Sequence, residues 1–461
     1  MKFSACISNV IFILVTIFSS CNQKSNHSAK LSSSDSVFIA EWKTKSVSYY
    51  KTNQDSFALL QLQIAAKYKQ ADQLGFWLNC YDTTIRAYRK HDSLQKAIDC
   101  FTSLYQNLWR EPIDSISLIT LAESNRQIGY IYYSNMEQYK KCLSFYDEGI
   151  KLMDQAHAWN APLAVRFFKA AGNAATRADD YQRALNYFER CYSIALMYHD
   201  TTAMLKTLND WGIPYQEVEK FDDAERCFRQ SLNLATSVDS MEQAIDAGTN
   251  LSALFLVTGK LDSALKFNKR AFEYMSHWKE KEDDSQGALY RSQAAIFTAM
   301  KKYNQAAQAY SKAIELMGRS DERRRRECGK IYFQFGSMYL QQSKEQQALE
   351  KFQSSLQCFI PEFKSRNTDD LPDSEMLYDE NGLLETLEGK GDAYLNIFKE
   401  SASKKYLHLA IANYHSAILV LNKRNKSIAD ESSLIKFNES SKGILAKAKT
   451  ADSLLLNSAV Q

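Results

Sequence analysis

Residues 172–191 read GNAATRADDYQRALNYFERC, and residues 212–231 read GIPYQEVEKFDDAERCFRQS. In each stretch a glycine stands twelve residues before an alanine (Gly172 and Ala184, Gly212 and Ala224). An aromatic follows that alanine by four (Phe188, Phe228), and a small residue by seven (Cys191, Ser231). Offsets of 0, 4 and 7 lie on one face of a helix. Outward from these two stretches the small residue recurs as Ala97, Cys142, Ala184, Ala224, Ala264, Ala306, Ala348 and Ala410, at intervals of 45, 42, 40, 40, 42, 42 and 62. Four residues on stand Phe101, Tyr146, Phe188, Phe228, Asn268, Tyr310, Phe352 and Tyr414, aromatic in all but Asn268. Such a period marks a stacked array of repeats, each burying its apolar face on the next.

The upstream half of each unit agrees. Twelve residues before the small position stand Gly172, Gly212, Ser252, Ala294 and Gly336; nine before it stand Ala175, Tyr215, Phe255, Phe297 and Tyr339. Small residues let two helix backbones approach, and aromatics fill the space between pairs. The pattern resembles the tetratricopeptide repeat, with units longer than its usual 34 residues. The resemblance implies an all-α, tetratricopeptide-like α-solenoid, a right-handed superhelix of antiparallel helix pairs, over 37–425. Before the first clear unit, Val37–Tyr50 and Ser56–Tyr68 read as another helical pair. Pro214 falls inside a first helix and is expected to kink it or delay its start. Residues 359–380, with Pro361 and Pro372, read as an exposed loop. In the last unit Gly391 precedes Ala410 by 19, which reads as seven residues inserted in the turn near Lys399–Lys405.

Five Pro and 15 Gly in 461 residues disfavour turn-rich β folds, and a net charge of +3 does not by itself call for nucleic acid. The first 20 residues read as a targeting segment. Lys2 is followed by the apolar run Val10–Phe18, too short to span a bilayer, and then by Ser19-Ser20-Cys21. This resembles a bacterial lipoprotein signal, although Phe18 stands where Leu is usual. It implies cleavage before Cys21 and acylation of Cys21, several acyl chains giving a stable anchor. Residues 21–36 then form a flexible tether, 37–425 the solenoid and 426–461 a C-terminal helix. The implied location is the bacterial cell envelope, lipid-anchored and facing the periplasm.

Chemistry is sparse. The seven His are scattered; His408 and His415 share a face but lack a third ligand, so no metal or cofactor is expected. No phosphate-binding loop or nucleophile elbow occurs. The Cys beyond Cys21 read as buried small apolar residues, and the Arg323–Arg326 run as a solvated helix start. In tetratricopeptide proteins the first helices line the concave side. By register, that resemblance places Arg126, Arg166, Lys169, Asn173, Arg177, Lys206, Asn209, Asn250, Arg291 and Lys330 in a groove, with Glu123, Asp210, Glu217 and Asp246 as its acids. The expected partner is a protein or peptide of acidic character, and the expected role a noncatalytic scaffold.

The tail carries a second resemblance. KGDAY, a widened turn, YHSAI, LNKRNKS and ESSLIKFNESSK are similar to the last repeat and following helix of Bacteroidota tetratricopeptide proteins that carry a CHAT peptidase domain. It implies an alternative role, the regulatory repeat half of a split peptidase system, with no catalytic dyad to carry over. A glycan-binding lipoprotein would expect Trp clusters, whereas the six Trp are scattered. The last helix carries Leu434, Phe437, Ile444, Leu445, Ala448 and Leu455 at helical spacing, which is expected to leave a docking face for a partner.

Overall fold

The computed structural model describes residues 31–50, 52–112, 114–134, 136, 138–279, 283–318, 322–425 and 431–460. Every regular element among them is helical. They form two compact units: described residues up to 134 with Glu148–Ala158, and Met136–Asp147 with the described residues from Trp159 onward.

The first unit holds α1 (Ser33–Tyr49), α2 (Gln54–Gln70), α3 (Leu74–Lys90), α4 (Leu94–Asn107), α5 (Ser115–Ser134) and the latter part of α6 (Tyr139–Ala156). Its first helix starts inside the stretch read as tether. Ser32 caps it, its hydroxyl accepting from the Asp35 amide at 3.0 Å, an N-cap that satisfies one otherwise orphaned N–H.

The second unit continues through α7, built from Ala161–Ala164, a π-turn over Val165–Lys169 and Ala170–Arg177. Then come α8 (Tyr181–Met197), α9 (Thr201–Glu217), α10 (Phe221–Ser237), α11 (Met241–Val257), α12 (Leu261–His277), α13 (Asp283–Ala299), α14 (Tyr303–Met317), α15 (Glu322–Leu340), α16 (Glu345–Phe359), α17 (Asn381–Ser401), α18 (Lys404–Asn425) and α19 (Glu431–Val460). The long repeat has a simple origin. From α8 to α12 each helix has 17 residues and each turn three. The middle turn residue takes a left-handed conformation (Asp179, His199, Glu219, Asp239, Gly259). The next amide then bonds back across the helix end, as Asp180 N–H to Ala175 O at 2.9 Å and Lys220 N–H to Tyr215 O at 2.9 Å.

All eight small repeat residues are fully buried. A Cβ at Gly212 would lie 2.3 Å from the Phe228 ring, and one at Gly391 2.7 Å from Tyr414, so the glycine and the aromatic sixteen or more residues later form one contact within a helix pair. Where the aromatic is replaced, Asn268 is buried and donates to Leu289 O at 3.2 Å.

Four expectations are corrected. The seven extra residues of the last unit are not in the turn, which is only Ala402 and Ser403; they lengthen α17 and α18, keeping Gly391 against Tyr414. The delayed start expected from Pro214 is not seen: helix α9 starts at Thr201, and Pro214 lies in its last turn, which ends at Glu217. Residues 359–380 form a loop beyond Phe359 that is exposed only in part: Glu362, Arg366 and Asp373 face solvent, while Ile360, Phe363 and Leu377 are buried with Leu383, Leu387 and Val420. The last helix does not present its Ile444 side for docking. Ile444, Ala448 and Ala451 are buried, and Lys447 holds Glu388 at 2.8 Å and Asp392 at 2.7 Å, so the helix closes the end of the stack. Leu434 and Phe437 lie outside the residues whose side chains are described.

Candidate functional site

In the second unit successive first helices touch one another: α9 meets α11, α11 meets α13, α13 meets α15, and α15 meets α17. Each second helix has first helices as its main neighbours. The side carried by the first helices is therefore the narrower one, and polar side chains on it reach from one repeat to the next.

Lys169 Nζ stands 2.5 Å from Asp210 Oδ2, and the Asn173 amide donates to the same oxygen at 2.9 Å. Asn250 donates to Asn209 Oδ1 at 3.0 Å. Further along, Arg291 Nη1 donates to Glu327 Oε2 and Lys330 Nζ to Glu327 Oε1, both at 2.8 Å. Arg177, four helix pairs earlier, also acts on this carboxylate. Burial works to raise the Glu327 pKa, but Lys330, Arg291 and Arg177 prevail and hold it at about 2. Burial lowers Lys330, against the pull of Glu327. Asp246, on α11, is raised to about 6 by desolvation beneath its neighbours first, then by Glu242 and Asp210, against the pull of Lys169.

The ten residues placed in a groove by register thus separate. Arg126 belongs to the first unit, where it holds Glu123 at 2.9 Å. In the second unit Lys169, Arg291 and Lys330 are engaged in ion pairs rather than forming an open basic strip. Arg166 is exposed in the π-turn, a feature that often marks functional segments. Lys206 is exposed on α9. Sequence register missed Glu327, the hub of the second cluster; the signal was its place one turn before Lys330. The Arg run is not a solvated helix start. Arg324 holds Asp284 at 2.9 Å on the preceding first helix, and Arg326 pairs with Glu380 at the start of the following one.

Among the described residues no His, Cys, Asp and Glu grouping is arranged to hold a metal ion. Among the described residues seven cysteines are buried and none is in a disulfide. Burial pushes Cys80, Cys100 and Cys227 up to about 12 and Cys191 to about 11, away from the thiolate state a nucleophile needs. No described helix is long and apolar enough to cross a membrane.

No family model matches the chain, and no curated protein matches it in sequence. Solved structures do match. The apo form of the quorum sensor NprR from B. thuringiensis aligns at 13% identity and TM-score 0.54, over 82% of this chain and 98% of that one. A tetratricopeptide repeat protein from Parabacteroides merdae aligns at 17% identity and TM-score 0.43, over 64% of this chain and 98% of that one. The Rap conjugation gene regulator of plasmid pLS20, in complex with the Phr* peptide, aligns at 15% identity and TM-score 0.48, over 86% and 98%. The first of these carries the comparison, and with the helix pairing described above it establishes the architecture: the chain folds as a tetratricopeptide-like α-solenoid.

Proposed function

We propose that the inner side of the second unit binds an extended, acidic peptide segment of a protein partner, and that the protein is a noncatalytic scaffold held in a bacterial envelope by lipid on Cys21. The observation that carries the binding reading is that Arg291 and Lys330, from successive first helices, both hold the single carboxylate of Glu327, at 2.8 Å each. Arg291 and Lys330, two cations on the one carboxylate of Glu327, leave an excess that a further carboxylate can satisfy by charge-assisted hydrogen bonds. The Asn209–Asn250 amides, nearby in register, offer donors and acceptors suited to a peptide backbone. NprR, of the same fold, is described as a quorum sensor; that likeness supplies the scaffold and not the ligand.

The test of the groove is charge reversal at Arg177 and Lys206 together, read by anisotropy of a fluorescein-labelled Asp/Glu-rich peptide. The double variant should bind roughly tenfold or more weakly at low salt, the equivalent of ~1.4 kcal/mol, with unchanged helicity. Equal binding at low and high salt would remove the acidic-peptide reading. The lipid reading rests on Lys2, the Val10–Phe18 run and Cys21, which lie outside the described residues. Cys21→Ala should move the protein out of the membrane fraction, and its staying there would end that reading.

A further inference from the structure

The connection between α16 and α17, residues 360–380, is the longest in the described chain, where junctions such as 198–200 and 238–240 need three residues. It is held as a ligand would be. Gln357 Nε2 donates to Lys364 O at 3.2 Å and Ser365 O at 2.9 Å, and Gln353 Nε2 to Ser365 O at 3.0 Å. Tyr394 donates to Thr368 O at 2.5 Å and Lys390 to Asp370 O at 2.8 Å. Lys423 donates to Ser374 O at 3.3 Å and Leu377 O at 2.5 Å. The donors come from three helices, and each reaches at least one backbone carbonyl of the strap; Tyr394 also donates to Asp369 Oδ1 at 3.0 Å and Lys390 to Gln353 Oε1 at 2.7 Å. Two apolar side chains, Phe363 and Leu377, are buried in the floor. Backbone capture with apolar anchors in alternate pockets is how proteins hold extended peptides. A mere connector does not call for an ammonium buried as completely as that of Lys390.

We propose that residues 361–378 are an intramolecular ligand: the cleft of α16, α17 and α18 is a binding site for an extended peptide with an aromatic and a leucine anchor, filled in cis by this strap. The site is separate from the charged groove, and its reading stands without it.

The experiment uses the full chain with 361–378 replaced by a Gly/Ser linker of equal length, and a second variant that keeps the strap but carries Phe363→Ser and Leu377→Ser. The probe is a labelled synthetic peptide of residues 361–378. Both variants should bind it saturably and one to one, at least roughly tenfold more tightly than the intact chain, whose cleft is filled. Gln353→Ala with Tyr394→Phe in the linker variant should weaken capture, as should a probe with Phe363→Ala. A folded linker variant that ignores the peptide overturns the proposal. So does equal binding by the intact chain. Loss of helicity in both variants would show the strap to be core rather than ligand, and would also overturn it.

Discussion

Lys390 donates to Gln353 Oε1 at 2.7 Å, and neither side chain meets solvent to any useful degree. Burial lowers the Lys390 ammonium from 10.5 to about 7, with Asp369 and Asp370 pulling the other way. The unfolded chain therefore holds more protons than the folded one between those values, so this site's stability contribution rises with pH across that window. Unfolding free energies from denaturant titration near pH 7 and pH 9.5 should differ by about 3 kcal/mol, less in Lys390→Met, which keeps the volume and drops the charge. The variant should be the more stable protein near pH 7. A wild type and variant with parallel pH profiles would contradict the buried-ammonium account.

Gly212→Ala should destabilise by about 1–3 kcal/mol, since the new methyl meets the Phe228 ring at a distance no core tolerates. Pairing it with Phe228→Leu should recover part of the loss, because the two residues share one contact. Additive losses in the double variant would deny that contact.

That contact also shows what the sequence could reveal. A small residue, glycine in three of the five units, recurs in register with a side chain sixteen later that is aromatic in all but Asn268, because a helix pair closes tightly only where one side is small, so the pairing of α7 through α16 was legible from residues alone. The small-residue positions, all fully buried, were equally plain. What escaped was set by tertiary context. The strap looks polar and Pro-containing, yet buried Lys390 and Tyr394 hold it down from the helix that follows it. The extra residues of the last unit show as a changed interval, but a changed interval does not say whether turn or helix absorbs it. Register gave the first-helix side of the groove, while the ion pairs that tie Lys169 to Asp210 and Arg291 to Glu327 join residues 41 and 36 positions apart.

The turns hold a cheap gain. Glu219 and Lys301 sit at φ 61° and 58°, a region where a side chain is strained. Glu219→Gly should raise stability by about 0.5–1 kcal/mol, the relief of strain exceeding the added freedom of the unfolded chain. Thermal denaturation checks it; a lowered midpoint would mean the Glu219 side chain does more than tolerate its turn.

Asp246 should give the groove a pH dependence. Its folded pKa of about 6 lies above the ordinary 3.8, so the native state takes up this proton first and its contribution falls as pH rises between those values. Neutralising it also removes a repulsion for an acidic ligand. Binding of the acidic peptide should strengthen between about pH 7.5 and pH 5.5, and Asp246→Asn should bind at pH 7.5 much as the wild type does at pH 5.5. A variant that keeps the full pH dependence would place its source elsewhere.

The central claim is one of location: the ligand lies on the first helices of the second unit. The direct measurement is photo-crosslinking of an acidic peptide carrying a benzophenone residue, with the attachment points mapped by mass spectrometry. The account predicts crosslinks within 166–177, 206–217, 246–250, 291 and 327–330. Crosslinks confined to the second helices, or to residues of the first unit, would contradict it.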